Sequence, residues 1–135
     1  MNYWLIKSEP GTYSWDDLVK DKKTYWDGVR NYAARNNMKA MKVDDKCLFY
    51  HSVNEKCCVG VAKVVKEFYQ DPTTDDERWV VMDVAADFAL KKPVTLEMVK
   101  NEPMLTDMVL VNNSRLSVQP VKKEEFDKII AMSES

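Results

Sequence analysis

With 135 residues, 45% of them hydrophobic and 31% charged, the chain has the composition of one folded domain rather than of a disordered, fibrous or membrane-spanning segment. That length buries a real core without disulfides or a structural metal. The formal net charge of −2 excludes a broad, charge-driven coat for nucleic acid, which works through a strongly basic surface. Charge is unevenly spread, however. Residues 20–42 carry +5 and the rest of the chain −7. A partner touching one face fits that asymmetry, and so do ordinary solvated helix charges. The N-terminal residues lack the basic and apolar regions of a secretory signal, and Cys47, Cys57 and Cys58 are an odd set. Reduced thiols in a cytoplasm are the expectation.

In chain order, Tyr3-Trp4-Leu5-Ile6 is bulky and short, and Pro10-Gly11 soon turns the chain, which predicts a buried strand. Lys7, Ser8 and Glu9 sit at its exit, as a plain turn or as the mouth of a pocket. Ser14 with Asp17 three residues on has the pattern of a capping box and starts a helix of about two turns. Residues 20–24 read as a polar loop, and Trp26-Asp27-Gly28 as a tight turn. A helix is expected from about Val29 or Arg30 to about Met41, with Ala34, Met38 and Met41 on its apolar stripe and Asn31, Arg35, Lys39 and Lys42 beside them.

Lys46 to Ser52 is rich in strand formers, and Val53-Asn54-Glu55-Lys56 connects it to a long strand from Cys57 to Tyr69. Within that strand Gly60 marks a bulge or a close approach. Residues 70–77 read as an exposed acidic loop, and residues 79–86 as a strand whose inward set is either Trp79, Val81 and Asp83 or the more apolar Val80, Met82 and Val84. Thr95 caps a short helix stopped near Pro103, residues 116–121 form a closing strand, and Lys122 to Met132 an amphipathic helix. Short strands with helices inserted early and at the end predict an α+β architecture, a small β-barrel decorated by helices, in a single domain over 1–135.

Several chemistries have no residues to support them. The three glycines are isolated, so there is no phosphate loop, dinucleotide fingerprint or nucleophile elbow. Three cysteines and one histidine could be counted toward zinc, but adjacent Cys57 and Cys58 point to opposite strand faces and make a closed site improbable. The acidic pairs Asp16-Asp17, Asp44-Asp45 and Asp75-Asp76 fall in turns or helix starts, where solvation explains them. His51, the sole histidine, has no partner at a catalytic or metal-ligating spacing. No catalytic residue, cofactor or metal is expected.

Residues 25–37 then stand out, with three aromatics, two arginines, three asparagines, a glycine and an aspartate in thirteen positions. An aromatic ring beside a glycine-relieved turn, followed by amide and guanidinium donors, suits a flat, hydrogen-bonding ligand such as a nucleobase. A buried Trp at a helix start accounts for the same residues. Four stretches, Tyr3 to Pro10, Trp26 to Asn37, Phe49 to Ser52 and Ser114 to Val121, closely resemble the EVE domain family, which includes the thymocyte nuclear proteins.

The resemblance spans almost the whole chain. It implies a PUA-like pseudobarrel with peripheral helices, related to the YTH readers of methylated adenine, and a non-catalytic binder of a modified nucleobase. Modified cytosine in DNA is the leading implied ligand, and no membrane partner is implied. By the same similarity Lys7, Ser8 and Glu9 meet the base edge, Trp26 is the first wall of an aromatic cage, and Asp27 and Gly28 offer backbone groups. Arg30, Asn31, Arg35 and Asn36 match the family's polar stretch, as do Tyr50, His51, Ser114, Arg115 and Ser117. Two departures are Ala33, where the family commonly has Gln, and Asn112-Asn113, which replaces a more basic segment and weakens phosphate contact near Arg115. Two alternatives stay open, an RNA-binding or RNA-modification accessory protein and, with less support, a nucleotide-processing enzyme using His51.

Overall fold

A computed structural model of the protein describes residues 1–53 and 55–135. Asn54, in the connection expected at 53–56, lies outside the described residues. Six strands form one mixed sheet in the order β2-β5-β4-β3-β1-β6: β1 (Tyr3–Ser8), β2 (Lys23–Tyr25), β3 (Lys46–His51), β4 (Cys57–Gln70), β5 (Val80–Thr95) and β6 (Val118–Val121). Among the described residues only β1 and β3 run parallel; every other neighbouring pair is antiparallel. The helices are α1 (Trp15–Asp21), α2 (Tyr32–Ala40), α3 (Leu96–Lys100), α4 (Val109–Asn112) and α5 (Lys123–Glu134). The architecture is therefore α+β around a six-stranded sheet.

Strand alternation divides the interior in two, because successive side chains point to opposite faces. Ile6, Phe49, Val64 and Met82 join one cluster with Trp15 and Leu18 of α1 and Ala34 and Met38 of α2. Leu5, Leu48, Val61 and Val94 join the other with Val99 of α3 and Phe126 and Ile129 of α5. The inward set of β5 on the first face is Val80, Met82 and Val84, the more apolar of the two alternatives.

Local signals locate several boundaries. Ser14 accepts from the Asp17 amide while Asp17 accepts from the Ser14 amide, which completes the capping box. Thr95 caps α3. Other boundaries moved for non-local reasons. The polar loop expected at 20–24 is instead the end of α1 followed by β2, because Lys23, Thr24 and Tyr25 pair with Ala85, Val84 and Asp83. Helix α2 begins at Tyr32, not at 29 or 30, since the Asn31 side chain caps it and Val29 is buried in the core. Strand β5 runs on to Thr95 through register shifts against β4, well beyond the expected end at 86. The closing strand is shorter than expected and pairs only from Val118.

Two aspartates assigned to solvated turns are buried. Asp45 accepts hydrogen bonds from the Asn2 and Lys42 amides and the Trp4 indole, and so ties the N-terminus to the turn before β3. Asp71 opens the segment expected to be an exposed acidic loop, yet it is fully buried and accepts from Thr73 and from Arg30. Burial alone would raise its carboxyl, but the Thr73 hydrogen bonds and the Arg30 guanidinium together hold it below the ordinary value.

Gly60 is opposite Phe49 on β3, and a Cβ there would come within 2.5 Å of the Trp15 indole. Gly60→Ala is expected to lower unfolding stability by about 1–3 kcal/mol through this overpacking, read from urea midpoints. Asp71→Asn should cost about 1–3 kcal/mol at neutral pH, toward the lower end because the Arg30 side chain is 41% exposed and hydrated. A carboxyl depressed on folding stabilises fully above its unfolded pKa of about 3.9 and loses that contribution as pH falls through the lower folded value. The gap between wild type and Asp71→Asn should therefore hold from pH 7 to about 5 and close under more acidic conditions.

Candidate base-binding site

Where β1 ends, β2 ends and the chain approaches α2, these segments enclose a cleft of about 530 Å³ lined by Lys7, Ser8, Glu9, Thr12, Tyr13, Thr24, Tyr25, Trp26, Asp27, Gly28, Val29, Arg30 and Ser117. Each lining group arrives for a local reason. The Pro10-Gly11 turn folds Tyr13 back, with the Thr12 and Tyr13 amides both donating to the Glu9 carbonyl. The Trp26 amide donates to the Met82 carbonyl, which continues the β2 to β5 pairing by one residue and sets the ring beside the sheet. Gly28 turns the backbone away with φ of 76°, a left-handed conformation that disfavours other residues.

Trp26 is only 8% exposed and packs edge-on against Phe49 at 5.6 Å and Tyr13 at 6.3 Å between ring centroids. The indole is thus a core side chain and a cleft wall at once. Tyr13 donates to Asp21, and burial, reinforced by that carboxylate, pushes its phenol up to about 12. It stays a neutral donor at physiological pH.

The polar groups of the cleft divide into those used by the fold and those free for a ligand. Ser8 donates its hydroxyl to the Tyr13 carbonyl, and its own carbonyl accepts from Ser52, so its polar atoms serve the turn. Arg30 donates one guanidinium nitrogen to Asp71 and to the Val29 carbonyl, leaving Nε and the other terminal nitrogen without a partner among the described residues. The Glu9 and Asp27 carboxylates likewise have no hydrogen-bond or ion-pair partner among the described residues. Two acceptors and one forked donor therefore surround an aromatic wall.

Eight of the residues singled out from sequence meet at this cleft: Lys7, Ser8, Glu9, Trp26, Asp27, Gly28, Arg30 and Ser117. The other seven do not. Asn31 caps α2 by accepting from the Ala34 amide, and Arg35 bonds Asn36 and the Arg78 carbonyl outside the cleft. Asn36 lines a separate groove with Asn112 and Asn113. Tyr50 and Ser114 line a smaller cleft of about 240 Å³ on the far side of Lys7. Lys7 bridges both clefts, donating to the Ser114 carbonyl at 2.5 Å, and burial lowers the pKa of its ammonium. Arg115 is exposed and lines neither.

His51 is 8% exposed, and its Nε2 accepts the Trp15 amide at 3.0 Å. That bond leaves the proton on Nδ1, which faces Glu55 at 3.4 Å. The His51, Glu55 and Cys57 donor atoms lie within 4.8 Å of one another. They do not fit a cation, because the ring nitrogen facing them is the protonated one and burial raises the Cys57 thiol away from the ligating thiolate.

Sequence reasoning missed Thr12, Tyr13, Thr24, Tyr25 and Val29 as lining residues. An aromatic two residues after a Pro-Gly turn was a usable signal for Tyr13. Nothing local marked Thr24 and Tyr25, whose placement depends on pairing with β5. No helix is long and apolar enough to cross a membrane among the described residues.

Comparison with known proteins places this geometry in a family. The chain is similar to mouse thymocyte nuclear protein 1, at 38% identity over 168 residues, covering 99% of this chain and 74% of that protein. Among solved structures it is similar to a Rhodopseudomonas palustris protein at 46% identity with a TM-score of 0.95, covering 99% of this chain and 94% of the other. It is similar also to human THYN1 protein in complex with DNA containing 5-methylcytosine, at 35% identity and a TM-score of 0.90, covering 100% and 99% of the two chains. A likeness to the ASCH protein of Zymomonas mobilis, at 12% identity and a TM-score of 0.59 over 97% and 95% of the chains, shows a shared fold and no more. The EVE domain model matches residues 2–132. The chain belongs to the EVE domain family.

Proposed function

We propose that the cleft beside Trp26 binds one modified base of a DNA strand, a cytosine carrying a ring methyl, and that the protein is a binder rather than an enzyme. The observation that supports this most is the pairing of an aromatic wall with two unpartnered carboxylates, Glu9 and Asp27, in a cleft large enough for a base. Cytosine presents an exocyclic amine as donor, with a ring nitrogen and a carbonyl as acceptors. In this reading a carboxylate takes the amine, and the free Arg30 nitrogens or the turn amides at Asp27 and Gly28 serve the acceptors. Tyr13, Trp26 and Val29 supply apolar surface for the methyl. The human relative crystallised with 5-methylcytosine-containing DNA supports the same ligand. Binding without catalysis is supported by His51, which is buried, held by the Trp15 amide and outside the cleft. The curved wall of a pseudobarrel, with β2 and β6 as its ends, is the fold reading that accompanies this function.

Burying one methyl group stabilises by about 0.8 kcal/mol, so methylation alone should strengthen binding several-fold. The test is equilibrium binding of single-stranded and duplex oligonucleotides that differ only in one cytosine, plain, methylated or hydroxymethylated. Wild type should prefer the methylated strand, and Glu9→Gln with Asp27→Asn should weaken its binding about tenfold or more, the worth of a charge-assisted hydrogen bond. These exposed carboxylates have no internal partner to lose, whereas Trp26→Ala would also remove about 3–5 kcal/mol of core packing. Equal affinity for every base, or an unchanged double variant, sinks the reading.

A further inference from the structure

Beside the cleft, α2 and the segment before β5 carry a strip of alternating aromatic rings and guanidinium groups, of which only Arg30 also lines the cleft. Tyr32 and Trp79 stack with centroids 5.3 Å apart and planes 29° from parallel. Arg35 lies over Tyr32 at 5.0 Å, while Arg30 and Arg78 lie over Trp79 at 5.6 and 5.8 Å. Arg78 also donates to the Tyr32 hydroxyl, and Arg35 to the Arg78 carbonyl. One turn further along α2, Lys39 repeats the arrangement over half-exposed Phe68 at 5.5 Å. Arg30 belongs both to this strip and to the cleft lining, so the two are continuous.

The strip is a basic surface, although each residue has partners within the fold. Asp71, the carboxylate on Arg30, is wholly buried beneath it, and Asp76, on Arg78, is about one-third exposed. Arg35 has no carboxylate partner among the described residues, only the Asn36 amide oxygen and a carbonyl. All three guanidiniums keep N–H groups without a partner among the described residues, and each lies over an aromatic ring. A flat fork of this kind matches phosphate oxygens, which it binds in bidentate fashion. Stacking also lowers the entropy lost when a long side chain is fixed by a ligand.

We infer that the strip from Arg30 across Trp79, Tyr32, Arg35 and Arg78 carries the phosphodiester backbone of the nucleic-acid strand whose base enters the neighbouring cleft. The inference rests on the base-binding reading only for where the strand starts. Charge complementarity and continuity with the cleft select a nucleic-acid strand over an acidic protein. They also resolve the charge asymmetry of the chain, since Arg30, Arg35 and Lys39 belong to its basic segment while Arg78 joins from a distant one.

The test is the salt dependence of binding for a single-stranded oligonucleotide holding one 5-methylcytosine and for its unmodified twin. Wild type is compared with Arg35→Gln/Arg78→Gln. A control, Lys91→Gln/Lys92→Gln, removes the same charge from two lysines that pair with Glu134 and Ser135 at the end of α5. Each lost phosphate contact on a single strand should make the slope of log affinity against log salt shallower by about 0.7, so the arginine pair should change it by about 1.4 and weaken both oligonucleotides alike. Should the double variant melt far below wild type, Arg35→Gln alone should show half that change. An unchanged slope overturns the inference. So does the same change in the lysine control, competition by polyglutamate as effective as by the oligonucleotide, or failure of wild type to bind either strand at low salt. A shallower slope with equal wild-type affinity for the twins would retain the strip and discard the base-binding reading.

Discussion

Phe49 at the centre of β3 is the interaction on which the functional half of the molecule depends. Three rings pack edge-on around it, Trp15 at 5.4 Å, Trp26 at 5.6 Å and His51 at 5.7 Å between centroids. Such pairs contribute about 0.5–1.5 kcal/mol each beyond their buried area. The arrangement requires an empty position opposite Phe49 on β4, and Gly60 supplies it, leaving room for the Trp15 indole. With Trp15 seated, its amide meets His51 Nε2, which fixes the imidazole tautomer and docks α1. With Trp26 seated, the wall of the cleft is set. One glycine on a central strand thus makes room for Trp15 and sets the position of α1.

The polar groups around the cleft divide between those that hold its walls and those that line it. Residues that hold the walls in place, Ser8, Asn31 and Asp71, have their side chains engaged within the fold. Glu9 and Asp27, on the turns that those residues stabilise, are left free. A site built this way presents preorganised groups, so a ligand loses less free energy to ordering the protein. The buried Asp71 carboxylate shows the principle, holding one side of Arg30 while its other nitrogens face the cleft and the stacked rings.

Net charge gives a poor picture of such a surface. The chain is acidic overall, yet Asp45 and Asp71 have no exposed charge to offer a partner because both are buried among donors. Arg30, Arg35 and Arg78 remain near the surface, lying over Tyr32 and Trp79. A local basic face can therefore coexist with a formal charge of −2.

The sequence by itself determined what short-range chemistry dictates. Gly60 marked a close approach without indicating its distant partner, Trp15, whereas the capping box at Ser14, the Thr95 cap, the apolar stripe of α2 and the inward set of β5 were all legible because neighbours a few residues apart decide them. So was the family, whose motifs lie in four short stretches, and with it the residues at the end of β1 and around Trp26 that line the cleft. Tertiary structure alone decided the rest. Strand β2 exists because β5 pairs with it, and the length of β5 follows from β4. Asn31, Tyr50 and His51 carry the residue types of a binding site, but cap formation, burial and a backbone hydrogen bond assign them elsewhere. Whether a polar side chain is free for a ligand depends on partners as many as 107 residues away, as Lys7 and Ser114 show. Such pairings are set by how the sheet and helices come together, and local pattern does not encode them.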